Sequence, residues 1–180
     1  GALDHTRQAV VALLSNDSLC TGTIIQVEGG AGYVLTAAHC CEEGHLPLQV
    51  VQGDDFAADD AIRYKITDAK PHPSYDFSTV GSPFDFCMVK FVGASADTPT
   101  IPVMTPDQDD LAVGSKVSFA GYGLLDGLVE TTKRYAIEDI ALTGVDDKMI
   151  EYSQANGGPC SGDSGGPSFS LVGGKEVVSS

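Results

Sequence analysis

Apolar positions along this chain come in short runs, some alternating with polar residues and some continuous, and Gly, Asp, Asn and Pro stand between them. Ten runs have the period or the β-branched and aromatic content of strands, over residues 9–14, 22–27, 33–37, 48–52, 62–69, 86–92, 116–120, 134–140, 167–172 and 176–179. No segment sustains the 3.6-residue period of an amphipathic helix, so only a short helical turn over 37–41 is expected. Short strands at regular spacing with turn residues between them specify an all-β chain of sandwich or barrel type. The stretch 94–106 carries three prolines and no period. It divides the expected organisation into an N-terminal β unit over 1–95, a linker over 96–107 and a C-terminal β unit over 108–180.

Composition narrows the function classes. Of 180 residues, 42% are hydrophobic, enough for a real core, and no run of eighteen apolar residues suggests a membrane span. The first residues have neither the basic patch nor the apolar stretch of an export signal. A formal net charge of −15 argues against a phosphate backbone as partner, which requires clustered Lys and Arg, and suits a soluble monomer. Five cysteines, an odd number, leave one without an internal partner. They fit either disulfides in an exported protein or buried thiols in a reduced one, and no spacing among them is that of a metal site.

Two segments carry chemistry. Gly162-Asp163-Ser164-Gly165-Gly166-Pro167 surrounds a serine with small residues, and in a chain of this length six such positions match by chance with odds on the order of 1 in 100,000. Far upstream lies Thr36-Ala37-Ala38-His39-Cys40. A serine hydroxyl is a weak nucleophile, so it needs a base within reach and a third group that holds the base in the useful tautomer. Histidine suits the base role because its ordinary pKa of about 6.5 lets it take and return a proton at neutral pH.

Together these segments resemble the chymotrypsin/trypsin family of serine proteases. The resemblance implies two antiparallel β-barrels with the active site between them, the second barrel incomplete here. It implies a serine endopeptidase with Ser164 as nucleophile and His39 as general base, working on a peptide or protein substrate without a cofactor. Asp85 in Phe84-Asp85-Phe86-Cys87 looks like the orienting carboxylate, and Asp76, after His72-Pro73-Ser74-Tyr75, is the competing choice. His5, His45 and His72 are read as ordinary core or surface histidines. Backbone N–H groups of Gly162 and Ser164 would form the oxyanion hole, and Val117 to Gly123 is similar to a structural segment of the second barrel.

By position, Cys20 and Cys40 match the family's disulfide around the histidine loop. Cys41 and Cys87 each follow a proposed triad member by two residues, which makes a second bridge between them plausible. Cys160 matches a cysteine whose partner falls beyond Ser180. The acidic loop from Asp54 to Asp60 lies roughly where some members bind calcium, against the simpler reading of a solvated acidic loop. Gly158 stands at the base of the primary specificity pocket, so no acidic base for Arg or Lys is visible there, and a small or apolar side chain is expected. Asp163 occupies the position that pairs with the free amine of the mature family members, and Gly1 would be the last glycine of the motif bearing that amine. The pocket walls and closing helix are expected after Ser180. The chain therefore reads as a portion of a secreted protease, with a zymogen-like pocket, or as a noncatalytic protease-like binding module.

Overall fold

Alternation decides where each strand's side chains go, and in this computed structural model it accounts for the core of both barrels. The structure describes residues 1–43, 46–79, 81–126, 128–155 and 157–180. In chain order the strands are β1 (Ala2–Leu3), β2 (Val10–Leu14), β3 (Leu19–Glu28), β4 (Ala31–Thr36), β5 (Gln49–Gln52), β6 (Ile62–Pro71), β7 (Cys87–Val92), β8 (Lys116–Gly121), β9 (Tyr135–Val145), β10 (Ile150–Tyr152), β11 (Ser168–Val172) and β12 (Lys175–Val178). A 3-10 turn, Ala38–Cys41, follows β4 and is the only helical element among the described residues. All ten expected runs form strands. Two more, β1 and β10, are too short for a period to show in the sequence.

Strands β2, β3, β4, β7, β6 and β5 close into a six-stranded antiparallel barrel. The remaining strands form an open sheet in the order β1, β9, β8, β11, β12, with β10 added on β9. The second barrel is thus a half-barrel, and the expected all-β double-barrel architecture is the one the chain adopts. Among the described residues no helix is long and apolar enough to cross a membrane.

The seam between the sheets explains why several strands read as continuous apolar runs. Val11 and Leu13 of β2 point into the closed barrel with Ile24, Val34, Val50 and Phe91. Val10 and Ala12, on the opposite face, pack against Ala120, Tyr122 and Phe169 of the second sheet. The same division separates Val50 from Val51 on β5. A strand covered on both faces has no polar side to show.

One fully buried charge crosses this seam. The Arg134 guanidinium, just ahead of β9, donates to Asp4 Oδ2 at 3.2 Å, Asp54 Oδ1 at 2.8 Å, the Gly53 carbonyl at 3.1 Å and Tyr122 Oη at 3.1 Å. Burial alone would raise the Asp4 carboxyl, but hydrogen bonds from Thr6 and the nearby Arg134 and Arg7 hold it below the ordinary aspartate value. A depressed pKa of this kind contributes stability above the unfolded value and loses it as pH falls through the folded one. Replacing Arg134 with Met takes from the buried Asp4 carboxylate its closest cation, leaving only Thr6 and the more distant Arg7, and is expected to cost ~3 kcal/mol in denaturant unfolding. The same change at exposed Lys175 should stay within about 0.5 kcal/mol.

Candidate active site

The loop around Ser164 is built from three consecutive peptide planes, each tied down by its carbonyl. The Ser161 carbonyl accepts the Leu124 N–H at 2.8 Å, the Gly162 carbonyl accepts Thr21 Oγ1 at 2.9 Å, and the Asp163 carbonyl accepts the Gly166 N–H at 2.8 Å. In a trans peptide the N–H points away from the C=O, so anchoring the first and third carbonyls turns the Gly162 and Ser164 N–H groups away from those anchors. Among the described residues neither N–H has a protein acceptor, whereas the Asp163 N–H between them donates to the Cys160 carbonyl at 2.9 Å. Gly162 adopts φ +96°, a left-handed backbone that favours glycine.

Gly165 lets this loop approach the histidine turn. A Cβ there would lie 2.0 Å from Thr36 Oγ1 and 2.6 Å from the Ala37 nitrogen, so a larger residue would push the two turns apart. The 3-10 turn holds His39, whose Nδ1 lies 2.7 Å from Asp85 Oδ2, and the His39 backbone N–H donates to Asp85 Oδ1 at 3.0 Å. An ionised carboxylate only accepts, so Nδ1 carries the proton and Nε2 is left as the acceptor. The hydrogen bond to Asp85 raises the His39 pKa above 6.5 against the opposing effect of burial. Burial pushes the Asp85 carboxyl up, but the bonds from His39 outweigh it and hold the group below the ordinary aspartate value. The Ser164 hydroxyl makes no hydrogen bond to the His39 ring among the described residues.

Asp85 owes its direction to a tight turn. The Phe86 N–H donates to the Phe84 carbonyl at 2.7 Å, and Phe84 takes φ +67°, rare for an aromatic. The His72 ring stacks on Phe84 with centroids 5.0 Å apart, and the His72 N–H donates to the Phe86 carbonyl. His72 is thus a bracket for this turn. Asp76 is excluded as the partner of His39 because its carboxylate accepts Ser78 and Thr79 within its own turn. His5 meets Asp54 at 2.6 Å away from the site, and His45 lies outside the described residues.

Two disulfides frame the histidine turn, Cys20–Cys40 and Cys41–Cys87, while Cys160 is free. The second joins the turn bearing His39 directly to the strand that follows Asp85. Asp163 sits with its carboxylate between Gly121 and Gly123, accepting the Gly123 N–H at 2.7 Å and the Cys160 N–H at 2.9 Å. Burial raises its pKa despite those bonds. Among the described residues no cation pairs with it.

A cavity of about 830 Å³ runs from Ser164 past Gly157 and Gly158, with Phe119, Ile137 and Tyr152 among its walls. A smaller one of about 200 Å³ is lined by His39, and Asp85 borders both. The Gln154 side chain lies against Gly158 and donates to the Pro159 carbonyl at 3.0 Å. The carboxylates from Asp54 to Asp60 do not converge as calcium ligands do. Asp54 already receives His5, Gln8 and Arg134, and the only compact donor group among the described residues is Cys20, His39 and Cys40, whose sulfurs are bonded to each other. Motif reading passed over Thr21 and Gln154 because a single polar residue in or beside a strand has no spacing to mark it.

The family model described as Trypsin matches residues 2–179. Granzyme M of Rattus norvegicus is 28% identical over 201 residues, covering 98% of this chain and 73% of the relative. Granzyme M of Homo sapiens is likewise 28% identical, with 98% and 72% covered. Brachyurin of Leptuca pugilator is 25% identical over 162 residues, with 82% and 69% covered. Non-reducing peptide mapping is expected to recover both disulfides with Cys160 as a thiol. Replacing Cys41 and Cys87 together by Ala should lower stability on the order of 4 kcal/mol by the chain-entropy argument, read as a lower urea midpoint.

Proposed function

Because the chain belongs to the chymotrypsin/trypsin family of serine proteases, we propose that it is an endopeptidase in which Ser164, His39 and Asp85 act together. The observation that carries this reading is the double contact of Asp85 with the ring and amide of His39, on the turn that Gly165 brings against the Ser164 loop. Ser164 Oγ attacks the substrate carbonyl carbon and passes its proton to His39 Nε2. The developing oxyanion is met by the Gly162 and Ser164 N–H groups. His39 then protonates the departing amine, leaving an acyl-enzyme that water hydrolyses by the same steps in reverse, as in the family's known Ser-His-Asp reaction.

Gly158 offers no carboxylate to an Arg or Lys side chain, and the walls at Phe119, Ile137 and Tyr152 favour an apolar or small one. Asp163, held by two backbone N–H groups, is the acceptor for an activating amine. Peptide or protein substrates, a monomeric state and no nucleic-acid or membrane partner complete the proposal. Two disulfides suit an extracytoplasmic compartment.

A fluorophosphonate probe should label the protein at Ser164, and Ser164→Ala should remove both labelling and peptide hydrolysis, lowering kcat by roughly 10⁴-fold or more. A folded wild-type protein that resists the probe would instead support a noncatalytic binding module. His39 works as a base only when neutral, so kcat/KM should rise with pH through a midpoint above 6.5, because Asp85 raises the His39 pKa. Asp85→Asn should move that midpoint down and reduce kcat by about 10⁴-fold. In a peptide library, preferential cleavage after Arg or Lys would overturn the assignment of Gly158.

A further inference from the structure

Thr21 lies on β3 of the closed barrel with no exposed surface, yet every polar group it owns outside its strand pairing is directed at the site. Its N–H donates to the Ser164 carbonyl at 2.9 Å. Its carbonyl accepts Thr36 Oγ1 at 2.8 Å, three residues before His39. Its hydroxyl accepts the Tyr122 N–H at 3.2 Å and donates to the Gly162 carbonyl at 2.9 Å. A hydroxyl can do both at once, and among the described residues no other side chain supplies a hydrogen bond to the Gly162 carbonyl.

The consequence lies in the peptide planes. The plane between Gly162 and Asp163 separates the two planes whose N–H groups point at the oxyanion position, so its rotation sets the angle between those two donors. Glycine at φ +96° imposes little resistance of its own to such a rotation. On the carbonyl side, the restraint on this plane comes across the seam from Thr21.

We propose that Thr21 is a positioning residue, whose hydroxyl fixes the Gly162 carbonyl and thereby aligns the Gly162 and Ser164 N–H groups for the transition state. The proposal rests on the reading of Ser164 as nucleophile. Oxyanion donors act mainly on the transition state, so their misalignment lowers kcat and leaves KM nearly unchanged.

Thr21→Val removes the hydroxyl at constant shape. It is expected to reduce kcat by about 10- to 100-fold with KM within about twofold, and to weaken a peptide boronate inhibitor in proportion to kcat. Thr21→Ser, which keeps the hydroxyl, should recover most of both. Should Thr21→Val not fold, Thr21→Ala against Thr21→Ser makes the same comparison. An unchanged kcat in Thr21→Val, or a Thr21→Ser as impaired as Thr21→Val, overturns the proposal. Amide hydrogen exchange in a Ser164→Ala background reads the clamp without any turnover: the Tyr122 and Asp163 N–H groups should exchange about tenfold faster when Val replaces Thr21. Unchanged exchange there would also overturn it, whereas hydrolysis surviving Ser164→Ala would count against the nucleophile assignment alone.

Discussion

The burial of β2 and β5 on both faces is the constraint on which the rest of this structure depends. A strand pair covered on one side by its own barrel and on the other by a second sheet cannot slip by one residue, since each face already carries apolar side chains matched to a different partner. That fixed register makes the seam a rigid reference. The groups proposed for catalysis approach it from opposite sides, His39 and Asp85 on the closed barrel and Ser164 on the open sheet. Their mutual placement is therefore a property of how the sheets pack, more than of any local motif.

Polar groups at the seam are few, and apart from the buried Thr23 hydroxyl the main ones have partners. Arg134 is buried completely, a costly state that is relieved only because the Asp4 and Asp54 carboxylates, three carbonyls and the Tyr122 hydroxyl surround it. Thr21 is buried as well, and its hydroxyl is satisfied from both sides. These contacts contribute direction where apolar packing contributes adhesion. Hydrophobic contact is tolerant of rotation, while a guanidinium or hydroxyl with fixed partners is not. Asp163 belongs to the same group of oriented charges, with two backbone donors defining where its carboxylate lies.

Much of this was legible in the sequence for reasons that can be named. Strands with one wet face, such as Ile62–Pro71, show their alternation directly, and even the doubly covered Val10–Leu14 is recognisable as an apolar run bounded by polar residues. The motifs around His39 and Ser164 were visible because their chemistry requires small neighbours at fixed offsets. That Asp85 meets His39, and Asp76 does not, follows from backbone shape that no residue type advertises, namely the left-handed Phe84 and the turn after it. Arg134 looked like any polar residue at a strand edge, and Thr21 like one more β-branched strand residue. Both are identified by partners distant in the sequence, Asp4 for Arg134 and Gly162 for Thr21. Ala2–Leu3 and Ile150–Tyr152 were missed because two or three residues contain no period.

The Cys41–Cys87 bridge has a mechanical consequence. It ties the turn bearing His39 covalently to the strand that follows Asp85, within the closed barrel, so relative motion of the two sheets leaves the His39 to Asp85 contact untouched. Whatever compliance the site has when a peptide enters must then be taken up on the other side, in the serine loop and the walls around it. The molecule is in effect a vice with one fixed jaw, and the travel of the moving jaw is set by hydrogen bonds.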